Sequence, residues 1–563
     1  MKKVSYVSVL VLVLLILSVT TSLPIKVSAK LELLVHNIDT GLDYAAIQEA
    51  IDASETLDGH IIHVDAGTYY ENVVVDKSVS LIGENKSMTL IDGKGSGDVV
   101  HVSANNVTIG GFTIRNSGSA ANFGICIYSS SGNNITDNIL IDNGWLGILV
   151  YNSSYNFIVG NTVTCNFRGM WLDDSSYNSL KNNVLVDNNY NFRVMGSKLS
   201  DFINDIDASN TVQGKPVCYW VDRHEEQVPS DAGYVALVNS TGISVKNLNL
   251  TNNWDGVLLA YTNNSLIQDV TATNNYYDGV YLRAFCNNNT IIGNTITDNP
   301  YGIILRDSCN NNTIVRNTVA NNNRGIRLDE SEDNTLYHNH FVGNTLQTYS
   351  MGLGNVWDNG YPSGGNYWSD YAGVDLHGGP YHNETGSDGI GDTPYFIEAN
   401  NTDNYPLMGM FSDFNATSQY QVTTISNSTI SDFEFDQMDN LIRFNVSGED
   451  GTKGFCRICI PTALMNDSYA VFVNGTEVPH ALLPCSTSRY SYLYFTYSHS
   501  TQHVIIIPEF PSILILPLFI VMALLALVIS RIKPIEKVNS EVFEFSPFCS
   551  RSVLNFNIER KEA

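Results

Sequence analysis

Four glycines spaced 23 residues apart, Gly256, Gly279, Gly302 and Gly325, constrain this chain more than any other feature. Behind each comes Val257, Val280, Ile303 or Ile326, and two residues later Leu259, Leu282, Leu305 or Leu328. The positions between vary freely: Leu258, Tyr281, Ile304 and Arg327, then Ala260, Arg283, Arg306 and Asp329. A period of two with one constant apolar face is a β-strand buried on that face. An earlier set repeats the pattern at Gly124, Gly147 and Gly169, with Ile125, Ile148 and Met170 and then Ile127, Val150 and Leu172 pointing inward.

A second spacing runs through the same segments. Asn156, Asn161 and Asn166 stand five apart, as do Asn178, Asn183 and Asn188, and later Asn289, Asn294 and Asn299, and Asn312, Asn317 and Asn322. The hexapeptide CNNNTI occurs at 286–291 and again at 309–314. Short strands with a corner every five or so residues wind into a coil that stacks on the next, which is a parallel β-helix. Asparagine suits such corners because it tolerates left-handed backbone angles and its amide reaches the equivalent amide about 4.8 Å away in the next coil. The expected fold is all-β: a right-handed parallel β-helix, or pectin-lyase-like solenoid.

The rest of the chain divides around it. Residues 1–29 carry Lys2 and Lys3, an apolar run and Val27-Ser28-Ala29, the pattern of a secretory signal. Residues 30–100 are expected to hold a cap and the first coils, with a short helix over 43–54 that places Tyr44, Ile47, Ala50 and Ile51 on one face and Asp43 at its N-cap. Repeats fill 101–345, a Gly-, Asp- and aromatic-rich loop region closes the coils over 346–410, and alternation resumes over 411–505 as a small β-sandwich-like domain. After a Pro-containing linker at 506–511, residues 512–530 are 19 residues without a charge. As a helix they span about 28 Å, close to the hydrocarbon thickness of a bilayer. Arg531, Lys533 and Lys537 follow, so the tail at 531–563 is expected inside and the body outside the cell.

A net charge of −27 argues against a nucleic-acid partner. Sequons at Asn85, Asn106, Asn239, Asn288, Asn311 and Asn474 are open to glycosylation on an exported chain, although asparagine abundance alone produces such triplets. Cys286 and Cys309 share one coil position, as a disulfide or as two stacked thiols. Cys456 and Cys459 face opposite sides of one strand, and a disulfide from either to Cys485 is the expectation there.

Several blocks resemble the NosD family of exported β-helix proteins. They are the Asn-rich coils, the interruption beginning GKPVCYWVDRHEEQVPSDAGYVALVNS, and the motifs GGNYWSDY, SDGIGDTPY and NYPLM, within about residues 40–410. That resemblance implies the β-helix and, from the family's naming, periplasmic copper handling for metalloenzyme maturation. The segment PEFPSILILPLF is similar to the anchoring tails of archaeal surface proteins, and AIQEAIDASETLDGHIIHVDAGTYYENVVV to the start of pectinesterase-like helices, in architecture only.

Three chemistries compete for this scaffold. Copper would want His, Met or Cys converging from adjacent coils, and the best local group is His338 with His340, on one strand face unless Asn339 forms a corner between them. Calcium suits the loop region better, where Asp388 and Asp392, with Asp375 or Asp403, are placed to converge; the alternative is that these aspartates cap glycine turns. Sugar cleavage needs paired carboxylates, and Asp173-Asp174 point to opposite faces of a strand. The outward positions are more informative. Tyr128, Tyr151 and Asp173 stack at one place and Cys126, Leu149 and Trp171 at the next, with Tyr281, Arg283, Arg306 and Asp329 in the later coils. One flat face of aromatics and charges suits a sugar polymer, unless another segment covers it. The reading that follows is a surface-anchored protein binding cell-envelope or environmental polysaccharide, with copper handling and a carbohydrate-active enzyme as the alternatives.

Overall fold

A computed structural model describes residues 34–398, 400–465 and 468–508. Among these residues no helix is long and apolar enough to cross a membrane. The signal-like segment 1–29, the apolar segment 512–530 and Cys549 lie outside the described residues.

Successive glycine-led strands pair in parallel and in register. Ile125 lies beside Ile148 and Ile148 beside Met170, all fully buried. Each coil adds two three-residue strands, as in Asn134–Thr136 and Ile139–Ile141 before Leu146–Tyr151. Three parallel walls therefore enclose a column of aliphatic side chains. The leading glycines are required by how closely the coils approach. A Cβ on Gly256 would sit 2.5 Å from the Gly279 carbonyl oxygen, and one on Gly279 would sit 2.7 Å from that of Gly302.

Asparagine ladders run the length of the coils, inside the corners. Asn138 donates its backbone and side-chain N–H to Asn161 Oδ1, both at 3.1 Å, and Asn161 does the same to Asn183. Asn294, Asn317 and Asn339 repeat this in later coils. These amides are buried, and their paired bonds satisfy main-chain groups that a corner would otherwise orphan. The left-handed residue is the one before each ladder asparagine, not the asparagine itself. Tyr155, Cys165, Tyr177, Arg316 and His338 have φ between 54° and 59°. Each such residue costs about 1–2 kcal/mol, which the asparagine bonds offset.

The winding breaks once. After Thr211–Val212 the chain turns through Gln213 and Gly214, at φ 51° and 76°, into Lys215–Val221, pairing Val212 with Lys215 antiparallel. A second coil stack then begins on the other face of the same 14-stranded sheet. Val217 and Tyr219 still belong to the first core, whereas Cys218 and Trp220 join the second. The interruption at 211–235 thus starts a new stack. Its outward residues Tyr234, Ala236, Val238 and Leu258 cover the open end of the first, where the Tyr234 ring meets Phe192 edge-on at 5.1 Å.

The other ends are closed locally. The N-terminal helix covers Ile47–Asp52 and buries Ile47, Ala50 and Ile51. Asp43 and Tyr44 lie instead in the strand Leu42–Tyr44, and Asp43 bonds His36 at 2.6 Å. The N-cap role passes to Glu71, whose carboxylate accepts the N–H groups of Ile47 and Gln48 at 2.9 Å each. At the far end Trp357 and Trp368 are buried over the last coil, and Trp368 stacks on Phe341 at 4.5 Å. Strands within residues 410–465 and 468–508 then form two five-stranded sheets, the arrangement of a β-sandwich, with alternating burial along Leu441–Ser447 and Tyr490–Ser498.

Candidate functional site

The glycine-led wall of the first stack runs into that of the second, and their outward side chains meet. Trp171 packs on Trp254 at 4.8 Å, and Met195 Sδ lies 3.2 Å from Arg283 Nη1. Arg168, fully buried, sits in a cage of Trp145 at 3.7 Å, Tyr276 at 4.0 Å, Phe167 at 4.6 Å and Trp254 at 4.8 Å. Desolvation lowers its pKa, and the ring faces supply the attraction that water would have given.

Beside this cage Asp255 and Asp278 are register partners on adjacent coils, both buried. Burial raises both carboxyls, and the charge of Asp255 raises Asp278 further. Arg193 Nε lies 3.5 Å from Asp255 Oδ2 and balances its charge. Burial alone would lower the Arg193 guanidinium, but the two aspartates outweigh it and hold it above its ordinary value.

A cavity of about 100 Å³ opens beside Asp278 and Arg193. Asp278, Tyr281 and Arg193 line its inner side, and Tyr277, Tyr301, Arg306, Arg327 and Asp329 its outer side. Tyr277 and Tyr301 stack at 6.3 Å, nearly parallel, and Arg327 bridges to Asp329 at 2.6 Å. Asp278 Oδ1 and Arg327 Nε are buried without a hydrogen-bond partner, one acceptor and one donor facing the same space.

The candidate sugar-binding residues therefore fall on two walls and not on one flat face. Tyr128 and Tyr151 lie along the first, stacked on each other at 5.3 Å, with Tyr128 the more exposed at 47%. Asp173 follows in register and is raised to about 6 by burial and by the charge of Asp174. Tyr281, at 3% exposure, is buried in the junction, whereas Arg306 and Asp329 reach the cavity mouth and Arg283 bridges toward Asp307. Because the tyrosines stack on one another, they offer hydroxyls and ring edges to a ligand rather than open faces. Sequence reasoning missed Arg193, Asp255, Asp278 and Tyr301; the recurrent Asp before Gly256 and Gly279 was the available signal.

In the loop region the aspartates brace the chain separately. Asp388 lies 3.7 Å from buried Arg457, whose guanidinium also donates to the carbonyls of Asp388 and Pro362. Asp375 accepts the N–H groups of Asp388 and Gly389, and burial raises it to about 7. Burial would also raise Asp392, but N–H groups of Leu376 and His377 outweigh it and hold it below its ordinary value. Asp403, raised by burial to about 7, accepts from Asn366 N and Trp368 Nε1 at 2.8 and 2.9 Å. Calcium at Asp388 and Asp392 thus competes with Arg457 and with backbone donors already in place. Cys456, Cys459 and Cys485 are free thiols here, as are Cys286 and Cys309, which stack fully buried.

A family model described as periplasmic copper-binding protein (NosD) matches residues 36–219 and 223–373, more than half of the chain. The chain belongs to the NosD family. This NosD protein is also 36% identical over 114 residues to a cell surface glycoprotein of Methanothermus fervidus, 20% of this chain and 18% of that protein. Among solved structures, the A-module of a mannuronan C-5 epimerase of Azotobacter vinelandii aligns with 55% of this chain and 94% of its own, at 18% identity and TM-score 0.27. The catalytic domain of a GH87 alpha-1,3-glucanase aligns with 54% and 64%, at 11% identity and TM-score 0.28. Scores this low bear on neither chemistry nor ligand.

The family description raises copper, so the donor sets matter. His338 and His340 flank the inward Asn339, and burial lowers both imidazoles to about 4, leaving them neutral. His338 Nε2 is held by the Ser363 carbonyl at 3.0 Å and its ring by Phe411 at 3.6 Å. A mixed set suits copper better: an imidazole, a thiol and a carboxylate at His101, Cys126 and Asp98.

Proposed function

We propose that this NosD protein works outside the cytoplasm as a polysaccharide-binding surface protein, anchored by its 512–530 segment, and that the ligand lies along the first wall and ends in the junction cavity. The observation that carries this reading is the cavity itself, where Asp278 Oδ1 and Arg327 Nε are unsatisfied beside tyrosine hydroxyls, Arg306 and Asp329. Sugar hydroxyls donate and accept at once, so they can satisfy both orphaned atoms, while the tyrosines add hydroxyls and ring edges beside them. The family's periplasmic description and the cell-surface relative support the location.

The test is retention of the purified protein on a panel of neutral and acidic polysaccharides, compared with Arg306→Ala and Tyr128→Ala. Weaker binding by both variants supports the surface; equal binding, or none to any polymer by the wild type, removes it. Trp171→Ala is unsuited to this purpose, because Trp171 is packed on Trp254 within the junction.

A further inference from the structure

Outside the cavity, the outward side of the first wall holds a second polar group. Cys126 and His101 are register partners on adjacent parallel strands, so their side chains leave the same face. His101 Nδ1 bonds Asp98 Oδ2 at 3.0 Å, and the other Asp98 oxygen accepts the Phe123 N–H at 2.9 Å. One donor atom from each of Asp98, His101 and Cys126 lies within 4.8 Å of the other two; among the described residues no other group of three His, Cys, Asp or Glu does so.

The surroundings favour a soft ion. Cys126 is 2% exposed and packs with Leu146 and Leu149, with Phe123 and Trp145 against them. The Tyr128 ring lies over His101 at 6.1 Å. This gives one sulfur and one imidazole in a mostly apolar setting, held by strand register below and by a carboxylate behind the imidazole. Zinc asks for four ligands and calcium for six or more oxygens, which this group does not supply. Thiolate and imidazole suit copper(I), which accepts few ligands.

We propose that Cys126 and His101 bind copper(I), with Asp98 as the positioning residue that fixes the imidazole. On binding, the Cys126 thiol loses its proton to solvent, its sulfur and an imidazole nitrogen coordinate the ion, and no electron is transferred. The family description names copper without a site; the assignment here rests on donor geometry and is independent of the glycan reading.

The test uses the full-length protein, stripped of metal and kept reduced, titrated with copper(I) against a chromophoric copper(I) chelator, with X-ray absorption to detect a copper–sulfur bond. The wild type is expected to take up one equivalent with sulfur coordination. Cys126→Ser and His101→Ala are expected to lose it while keeping the wild-type unfolding midpoint, and Asp98→Asn to weaken it by roughly 10–100-fold. His338→Ala is expected to bind as the wild type does. No uptake by the wild type, uptake undiminished in Cys126→Ser, or loss in His338→Ala would each overturn the proposal.

Discussion

The two glycine-led walls are built on the same repeat and end in opposite environments. At the fourth place after the glycine, Tyr128 on the first wall is 47% exposed whereas Ala260 on the second is fully buried; at the second place both walls are buried, at Cys126 and Leu149 on the first and at Leu258 and Tyr281 on the second. Inward positions are equivalent in both, Ile125 and Ile148 matching Val257 and Val280, all at 0% exposure. The repeat therefore specifies the inside of a coil, while the fate of the outside is set elsewhere, by the single antiparallel turn at Val212 and Lys215.

Perturbing what joins the walls tests this most severely. Arg193→Met leaves the Asp255–Asp278 charge without its partner, and a loss of about 3–5 kcal/mol is expected, read from denaturant unfolding. The loss should shrink at acid pH, where both carboxyls are protonated. Next in size are the ladders. Asn161→Ala in the first stack and Asn317→Ala in the second each strand buried donors, and each should destabilise by about 3 kcal/mol. A large difference between those two would break the equivalence of the interiors.

A smaller effect concerns pH. Asp278, Asp375 and Asp403 are all raised above the ordinary 3.8, Asp375 and Asp403 to about 7. The native state therefore holds protons that the unfolded chain releases. This stabilisation is complete below about pH 4 and, for Asp375 and Asp403, is lost as pH rises through about 7. Unfolding midpoints should fall between pH 5 and 8, and Asp278→Asn should flatten that slope. Smallest of all is Tyr128→Ala, which should change stability by no more than about 0.5 kcal/mol on its exposed wall while weakening glycan retention.

The parts legible in the sequence are those governed by neighbours one coil away. The inward aliphatics and the asparagine spacing are local signals of this kind, and they indicate the parallel coils that the structure shows. The left-handed corner residue was misassigned by one position, because side-chain preference suggested Asn161 whereas the ladder needs its amide inward and leaves the turn to Gly160. The junction was invisible for a different reason. Arg193 meets Asp255 across 62 residues that contain the change of winding, and no periodic pattern encodes that distance. The helix cap was supplied in the same way by Glu71, in the connection between the strands Gly67–Tyr69 and Val73–Val75, rather than by the residue before the helix.

The ladders also have a direction. Along the inner columns Asn138 gives N–H bonds to Asn161 Oδ1 and Asn294 to Asn317 Oδ1, each in the coil that comes later in the chain, while their side-chain amides also donate back to the carbonyls of Ile109 and Ile267. A coil that has just wound is thus incomplete until its successor arrives, so growth is vectorial, and a chain emerging N-terminus first can add coils in the order in which they appear. One column stops at Asn366, whose backbone N–H is taken by the Asp403 carboxylate, an acceptor with no donor to pass on. A chain truncated before Asp403 should therefore behave as an unfinished solenoid, with its last rung open to another copy of itself.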